Sequence, residues 1–261
     1  MHQLRIPIWR EARIAFERAA LSRDPVLRGQ GVPRGDGMPV LLIPGFMAGD
    51  LSLSLMGGWL RRLGYQPCRA GIRVNADCTG AAIERLDAQL QALAGRHGRQ
   101  VAILGHSRGG AMARLLAVRR PDLVAAIVCL GSPLTDEFAV HPLVRAHVEA
   151  VATLGTLGVH GCFRRACLTG DCCAQVRDEA RAPFPAGIRF TSIYSRSDGI
   201  VDWEACLDPA AVHVEVDSSH CGMAVNGHVF TEIGRALAPE VRLAHPRSSV
   251  RAVRAGRAIA A

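Results

Sequence analysis

The sequence predicts an α/β protein with a mostly parallel central sheet, helices on both faces and a small lid-like excursion. Short apolar runs of strand type alternate with longer segments of helical periodicity along most of the chain. Such alternation is typical of a parallel sheet that helices cover on both sides. The chain has 261 residues, of which 49% are hydrophobic, which is enough for one domain with a large core.

The predicted elements follow one another in a regular order. We expect strands at 39–43, 66–72, 100–104, 124–130, 188–194 and 211–216. We expect helices at 52–63, 79–95, 108–119, 141–154 and 222–238. Residues that interrupt regular secondary structure support these bounds. Pro44 and Gly45 follow the first strand, and Gly64 follows the first of these helices.

One stretch, 137–182, interrupts the alternation of strands and helices. It is rich in small residues, and long excursions of this kind form lids and binding walls, although a purely structural excursion is the alternative. We therefore divide the chain into three parts. An N-terminal amphipathic helix and lead-in occupy 1–38, a main domain occupies 39–240 and a basic, flexible tail occupies 241–261.

Apolar residues recur at helical spacing near the N-terminus, at Trp9, Ala12, Phe16, Ala19 and Ala20. We expect this helix to pack on the domain, with docking to a membrane surface as the alternative. Charges interrupt the apolar stretch and no small-residue cleavage site follows it. We therefore expect no signal peptide and a cytoplasmic protein.

The formal net charge is +8, and every basic residue except histidine is arginine. The tail carries five arginines and no acid, so we expect it to be solvated, with contact to an anionic membrane or an acidic partner as the alternative. No aromatic residue is interleaved with these arginines. The tail therefore does not predict nucleic-acid binding.

Nine cysteines favour an oxidising compartment, in which one or two disulfides would form. The oxidising compartment that the cysteines favour conflicts with the cytoplasmic location expected from the lack of a signal peptide. Four of the cysteines crowd into one segment, at Cys162, Cys167, Cys172 and Cys173. Their spacing lacks the paired C-x2-C pattern of structural zinc sites, so we expect no metal.

The strongest motif is Gly-His-Ser-Arg-Gly, centred on Ser107, between a predicted buried strand and a predicted helix. A sharp turn there exposes the serine hydroxyl at the start of the helix. Glycines two residues to either side let the strand and the helix approach each other. A serine hydroxyl is a poor nucleophile, so a base must take its proton. We predict that Ser107 is a nucleophile.

The base is predicted on a loop after the last strand. Of ten histidines, His220 alone lies between a late strand and the final helix. An acid should orient the imidazole and stabilise its charged form, and Asp198 follows the strand at 188–194. Asp202, whose position favours helix capping, and Asp136 are the alternatives for the acid.

A serine nucleophile also needs N–H donors for the alkoxide that forms when it attacks a carbonyl. One donor should be the backbone N–H of Arg108, directly after the serine. The other should come from the loop after the first strand, where Phe46 is favoured and Met47 is next. We also expect Met47 to line the substrate pocket. An ordinary strand-ending turn is the alternative for this loop.

In the segments around Ser107, Asp198 and His220, the chain resembles the α/β-hydrolase superfamily, and within it small bacterial triacylglycerol lipases and esterases. The resemblance extends from Pro39 to Leu237 and is clearest in PVLLIPGF, ILGHSRGG, TSIYSRSDGIVDW and VDSSHCGM. It implies an α/β-hydrolase catalytic domain at 39–240 and a triad in the order Ser107, Asp198, His220. It also implies hydrolysis of carboxylic esters with no cofactor. Similar lipases have His-Gly where this chain has Pro-Gly at 44–45.

Two other functions are compatible with the same residues. An acyltransferase would use the same triad and pass the acyl group to an alcohol. A non-catalytic binding module would keep the fold without its chemistry, but the intact triad argues against it. The expected partner is a small ester or lipid, with peripheral contact to a lipid surface as an addition and no role for nucleic acid. The sequence does not predict an oligomeric state.

Overall fold

The computed structural model describes residues 7–239, so the predicted basic tail lies outside the described part of the chain. The described strands are β1 (Pro39–Ile43), β2 (Gln66–Arg69), β3 (Val101–His106), β4 (Val124–Leu130), β5 (Arg189–Tyr194) and β6 (Val212–Glu215). They form one sheet in the order β2-β1-β3-β4-β5-β6, in which every neighbouring pair is parallel. This confirms the predicted sheet.

The α-helices of the described residues lie between or beside these strands. They are α1 (Ile14–Arg23), α2 (Ser54–Leu63), α3 (Thr79–His97), α4 (Arg108–Arg119), α5 (Pro142–Thr156), α6 (Arg165–Thr169), α7 (Ala174–Arg181) and α8 (Gly227–Leu237). The predicted final helix at 222–238 is interrupted. A 3-10 helix, Cys221–Val225, ends at Asn226, whose side chain accepts the backbone N–H groups of His228 and Val229 and so begins α8.

The core lies on both faces of the sheet. All five residues of β1 are buried. Val40 and Leu42 pack into one apolar cluster, and Leu41 and Ile43 pack into the other on the opposite face. This explains why the strand is a continuous apolar run rather than an alternating one. The edge strand β2 is only partly buried and ends at Arg69, three residues before its predicted end.

The N-terminal segment forms a 3-10 helix, Ile8–Arg13, that continues into α1. The segment packs on the domain as expected, but not through the apolar stripe, since Trp9 is 71% exposed and Phe16 is 79% exposed. The buried side chains of this segment are instead Glu17 and Leu21. The helix therefore contacts the domain through another face, because Glu11 and Glu17 accept backbone N–H groups of His220 and Ser219 there.

The excursion at 137–182 contains α5, α6 and α7 and packs against the loop that precedes α3. The backbone N–H of Phe163 donates to the carbonyl of Ala76 at 2.7 Å. The ring of Phe163 is buried there in a small apolar cluster with Val151 and Ala152. Within residues 7–239, no helix combines the length and apolar character that crossing a membrane requires.

Candidate active site

Ser107 occupies a strained turn between β3 and α4. Its backbone has φ 54° and ψ −125°, a conformation that non-glycine residues rarely adopt. The backbone N–H of Ser107 still pairs with the carbonyl of Leu130 on β4, at 2.8 Å. The turn therefore holds Ser107 at the carboxyl end of the sheet and at the N-terminus of α4. Strain of this kind is concentrated at functional sites.

The two glycines of the motif are required by close packing. A Cβ on Gly105 would lie 2.3 Å from the carbonyl oxygen of Gly109. A Cβ on Gly109 would lie 2.2 Å from the carbonyl oxygen of Ile43 at the end of β1. No real Cβ tolerates such distances, so glycine at both positions permits the sharp turn that presents Ser107.

Asp198 and His220 form a buried pair. The Nδ1 atom of His220 lies 2.7 Å from Oδ2 of Asp198, and both side chains are almost fully buried. Because a carboxylate only accepts, Nδ1 carries the proton and Nε2 is left to interact with another group. The second oxygen of Asp198 accepts the backbone N–H groups of Ile200 and Val201, both at 2.8 Å. These bonds fix the orientation of the carboxylate.

Electrostatics favour the protonated form of His220. Burial lowers the pKa of His220, but the negative charge and hydrogen bond of Asp198, together with the charge of Glu11, outweigh it. The pKa of His220 is therefore raised above its usual value. An imidazole with a raised pKa holds a proton more strongly than free histidine does.

His106, the neighbour of Ser107, lies against His220 and stays neutral. The two ring centroids are 4.8 Å apart. Burial and the charge of His220 lower the pKa of His106 to about 3. The neutral ring places Nε2 3.0 Å from the backbone carbonyl of His220, to which it donates a hydrogen bond. His106 thus helps to hold the loop that carries His220.

Glu11 of the N-terminal segment connects the loop that carries Asp198 (the acid loop) to the loop that carries His220 (the histidine loop). Its Oε1 accepts the backbone N–H groups of Gly199 and His220, both at 3.0 Å, and its Oε2 accepts that of Cys221 at 2.9 Å. Gly199 directly follows Asp198. One carboxylate therefore bridges the two loops that carry the acid and the histidine.

Glu17, six residues further along the chain, holds the same histidine loop. Its two oxygens accept the backbone N–H and the hydroxyl of Ser219, at 2.9 and 2.7 Å. Sequence reasoning missed both glutamates. The only signal was the presence of acids off the apolar face of the N-terminal helix, which is usual for any solvated helix.

The loop after β1 approaches Ser107 closely. A Cβ on Gly45 would lie 3.1 Å from the Cβ of Ser107. Met47 has a positive φ of 57°, its side chain is 52% exposed, and its backbone N–H donates to the carbonyl of Asn75 at 3.1 Å. Phe46 and Met47 both line the cavity beside Ser107.

Asn75, a buried residue that sequence reasoning missed, connects this loop to Arg108. Its Nδ2 donates to the carbonyl of Pro44 at 2.7 Å, and its Oδ1 accepts Nη1 of Arg108 at 2.9 Å. The Arg108 guanidinium also donates to the carbonyl of Asp77 and to the hydroxyl of Thr79. Asn75 lies in no recognisable motif, so only the structure reveals its contacts.

A cavity of about 780 Å³ opens beside Ser107 and His220. Residues of the excursion, including Val144 and Phe163, form one of its walls. Its apolar lining includes Phe46, Leu134, Val144, Phe163, Leu168 and Ile200. A mostly apolar cavity with a few convergent polar groups is typical of a small-molecule site.

The rival acids of the sequence analysis have other contacts. The Oδ1 atom of Asp202 accepts the backbone N–H of Glu204 at 3.2 Å and begins a 3-10 helix, as its position predicted. Asp136 lines the cavity, but its Oδ1 accepts the backbone N–H of Phe138 at 2.9 Å. The hydrogen-bonded partner of His220 is Asp198.

Comparison with known proteins supports the architecture. A family model for the alpha/beta hydrolase fold matches residues 77–150. A metagenomic carboxyl esterase has a similar structure, with a TM-score of 0.60 and 13% identity, over 90% of this chain and 92% of that chain. A lipase of Bacillus licheniformis is similar over 80% of this chain and 95% of its own, with a TM-score of 0.55 and 14% identity.

A monoacylglycerol lipase of Paleococcus ferrophilus is also similar, with a TM-score of 0.50 and 13% identity, over 79% of this chain and 94% of that chain. No curated protein matches the chain by sequence. At these identities the structural likeness concerns the fold. It confirms the α/β-hydrolase fold that the sequence predicted.

Proposed function

We propose that this protein, which has the α/β-hydrolase fold, is a serine hydrolase that cleaves carboxylic esters. The observation that carries the proposal is the buried pair of Asp198 and His220, whose Oδ2 and Nδ1 atoms lie 2.7 Å apart, together with the cavity that His220 and Ser107 both line. A nucleophile, a base and a group that orients the base are the parts that acyl transfer requires. The esterase and lipase folds among the similar structures support the same reaction class.

In the proposed acylation step, Ser107 attacks the ester carbonyl while Nε2 of His220 takes the hydroxyl proton. The Asp198 carboxylate holds the ring through Nδ1 and stabilises the imidazolium that forms. His220 then donates the proton to the leaving alcohol as the carbon–oxygen bond breaks. The products are an acyl ester of Ser107 and the free alcohol.

In the deacylation step, a water molecule takes the place of the alcohol. His220 removes a proton from this water as its oxygen attacks the acyl carbonyl. Collapse of the tetrahedral intermediate returns the proton to Ser107 and releases the carboxylic acid. The raised pKa of His220 is suited to these transfers, because the imidazole must accept a proton from a hydroxyl and then return it.

The backbone N–H groups of Phe46 and Arg108 bind the alkoxide in this proposal. The N–H of Arg108 lies in the first turn of α4, where helix N–H groups have no partner within the helix. The N–H of Met47 donates to Asn75, which favours Phe46 as the donor from its loop. Preorganised donors of this kind contribute on the order of 3 kcal/mol each to lowering the barrier.

The apolar cavity supports an ester with an apolar acyl or alcohol group as the substrate. Met47 lines its entrance, and the excursion at 137–182 acts as a lid or cap that shields the acyl-enzyme from solvent. Peripheral contact with a lipid surface would use the exposed Trp9 and Phe16 of the N-terminal segment. The chemistry requires no cofactor.

The proposal is tested by hydrolysis of p-nitrophenyl esters of graded chain length. We expect Ser107→Ala to lose roughly a millionfold in kcat, because the members of a triad act as a unit. The control is Ser54→Ala, the same change at an exposed position of α2, which should keep full activity. A phosphonate probe should label Ser107 in the wild type, as peptide mass spectrometry would show.

Two results would overturn the proposal. One is unchanged hydrolysis by Ser107→Ala, and the other is covalent labelling at a different residue. Product analysis with an added alcohol would distinguish hydrolysis from acyl transfer to that alcohol, since both start from the same acyl-enzyme.

A further inference from the structure

Four cysteines that the proposed chemistry does not use converge beside the active site. This cysteine quartet consists of Cys78, Cys167, Cys172 and Cys173, whose sulfur atoms all lie within 4.8 Å of one another. Three come from the excursion around α6 and α7. The fourth is the residue before α3 and lies 94 positions before Cys172 in the chain.

The sulfur atoms of the quartet are close enough together to surround a single metal ion. Sγ of Cys172 lies 3.8 Å from that of Cys78, 3.2 Å from that of Cys167 and 3.6 Å from that of Cys173. Sγ of Cys78 lies 3.6 Å from that of Cys173. A tetrahedral zinc ion with sulfur ligands at about 2.3 Å requires sulfur atoms about 3.8 Å apart.

We propose that the cysteine quartet binds one structural zinc ion. Four thiolates in a closed tetrahedron are typical of structural zinc sites and leave no position open for water or substrate. Thiolate sulfur is a soft ligand that selects zinc over the hard cations calcium and magnesium. Binding releases the proton of each thiol to solvent and forms four sulfur–zinc bonds, with no change of oxidation state.

The surroundings stabilise the negative charge that such a site carries. One zinc ion and four thiolates leave two negative charges in excess. Cys78 is the N-cap of α3, a helix of 19 residues, so its sulfur lies at the positive end of the helix dipole. The guanidinium of Arg108 donates to the carbonyl of Asp77 and to the hydroxyl of Thr79, the residues on either side of Cys78.

Sequence spacing concealed this site. The crowded cysteines lack two C-x2-C pairs and therefore predict no metal, and no local pattern connects the remote Cys78 to them. Cys162 belongs to the crowded segment, but its sulfur is not part of the quartet. All nine cysteines lie within the described residues, and each is a free thiol in the structure, so the predicted disulfides are not present there.

The proposed ion would fasten the excursion to the catalytic part of the fold. Cys78 belongs to the same loop as Asn75, whose side chain bonds the loop after β1 and Arg108. The zinc ion would therefore connect the wall of the cavity to the residues that position the proposed alkoxide donors. Its role is structural, because the quartet has no ligand position left for chemistry.

The test measures the metal content of the full-length protein expressed with zinc in the medium. We expect about one zinc ion per chain in the wild type and a loss of at least about tenfold in Cys172→Ser. The matched control is Cys162→Ser, which removes a cysteine of the same segment outside the quartet and should leave the zinc content unchanged. Replacement of zinc by Co²⁺ should produce the intense visible bands of a tetrahedral thiolate site.

Three outcomes would overturn the proposal: a wild-type chain without metal, a chain that binds iron in preference to zinc, or equal zinc content in Cys172→Ser and Cys162→Ser. Alkylation after chelation and unfolding tests the competing disulfide arrangement. We expect all nine cysteines to be modified, whereas fewer modified cysteines without reductant would show disulfides. If Cys172→Ser fails to fold, the cobalt spectrum of the wild type still decides. None of these measurements depends on ester hydrolysis.

Discussion

The carboxylate of Glu11 accepts the backbone N–H of His220 at 3.0 Å. A side chain of the N-terminal segment therefore holds the histidine of the candidate triad in place. The same carboxylate accepts the N–H of Gly199, the residue after Asp198. Glu11 also raises the pKa of His220 by its charge. In the proposed mechanism Glu11 is therefore a positioning residue, which acts through the proposed base His220 rather than on the substrate.

We predict that Glu11→Gln lowers kcat for ester hydrolysis by on the order of tenfold to a hundredfold, because the amide cannot accept all three N–H groups. Loss of its charge also lowers the pKa of His220. The acidic limb of the kcat/KM profile should therefore move to lower pH, since the imidazole must be neutral to act as a base. A pH series for wild type and variant measures this shift.

The control for Glu11→Gln is Glu84→Gln, the same change at an exposed residue of α3 that pairs with Arg119. It should leave both kcat and the pH profile unchanged. A variant at Glu11 that loses stability but keeps the wild-type pH profile would show a structural role without an effect on His220.

Asp198→Asn should reduce kcat by roughly 10⁴-fold, because the amide no longer enforces the tautomer with the proton on Nδ1. It also removes the chief influence that raises the pKa of His220, so burial prevails and the pKa of His220 falls. The residual activity should consequently persist to lower pH than in the wild type. Asp202→Asn is the control, and a larger loss there would reassign the acid.

Asn75→Ala should reduce kcat by about ten- to a hundredfold with little change in KM, because the loop after β1 loses its bond to Asn75 while the cavity keeps its lining. The change also leaves the Pro44 carbonyl without that donor, which costs about 1–3 kcal/mol of unfolding free energy. Steady-state kinetics and thermal unfolding measure the two effects separately. A rise in KM at constant kcat would contradict a role in positioning the alkoxide donors.

Gly109→Ala should destabilise the protein by about 1–3 kcal/mol or more, because the new Cβ would lie 2.2 Å from the carbonyl oxygen of Ile43. Gly95→Ala in α3 is the matched control, since a Cβ there meets nothing within 4 Å. That change should stabilise the protein by up to about 1 kcal/mol through helix propensity. Thermal unfolding of both variants checks the contrast, and equal Tm values would refute the packing argument.

The fold was predictable because its local signals agree with its tertiary structure. The apolar runs of β1 and β4 have the same bounds in sequence and structure, since a strand buried on both faces tolerates no polar residue. The sharp turn at Ser107 was predictable because the turn itself dictates the glycines around it. The proximity of Asp198 and His220 agrees with their places after strands β5 and β6, while their catalytic roles stay a proposal.

The remaining parts depend on contacts between distant segments. Glu11, Glu17 and Asn75 satisfy backbone groups of loops that are remote in the sequence, and no local pattern distinguishes such residues from surface polar ones. The apolar residues of the N-terminal segment did not indicate which face of the helix contacts the domain, because contacts with a distant loop decide this. Satisfying the buried N–H groups of the histidine loop outweighs the burial of Phe16, whose side chain stays in solvent.

The hydrogen bond from Ser219 to Glu17 spans 202 positions of the chain and has a consequence for biosynthesis. The ribosome produces the N-terminal helix before any strand, and the histidine loop only after the last strand has emerged. The carboxylates of Glu11 and Glu17 therefore lack the N–H donors of this loop until synthesis has passed Cys221. The proposed base is therefore anchored long after Ser107 has been synthesised, and a nascent chain that ends before His220 carries the serine without the loop that the two glutamates hold.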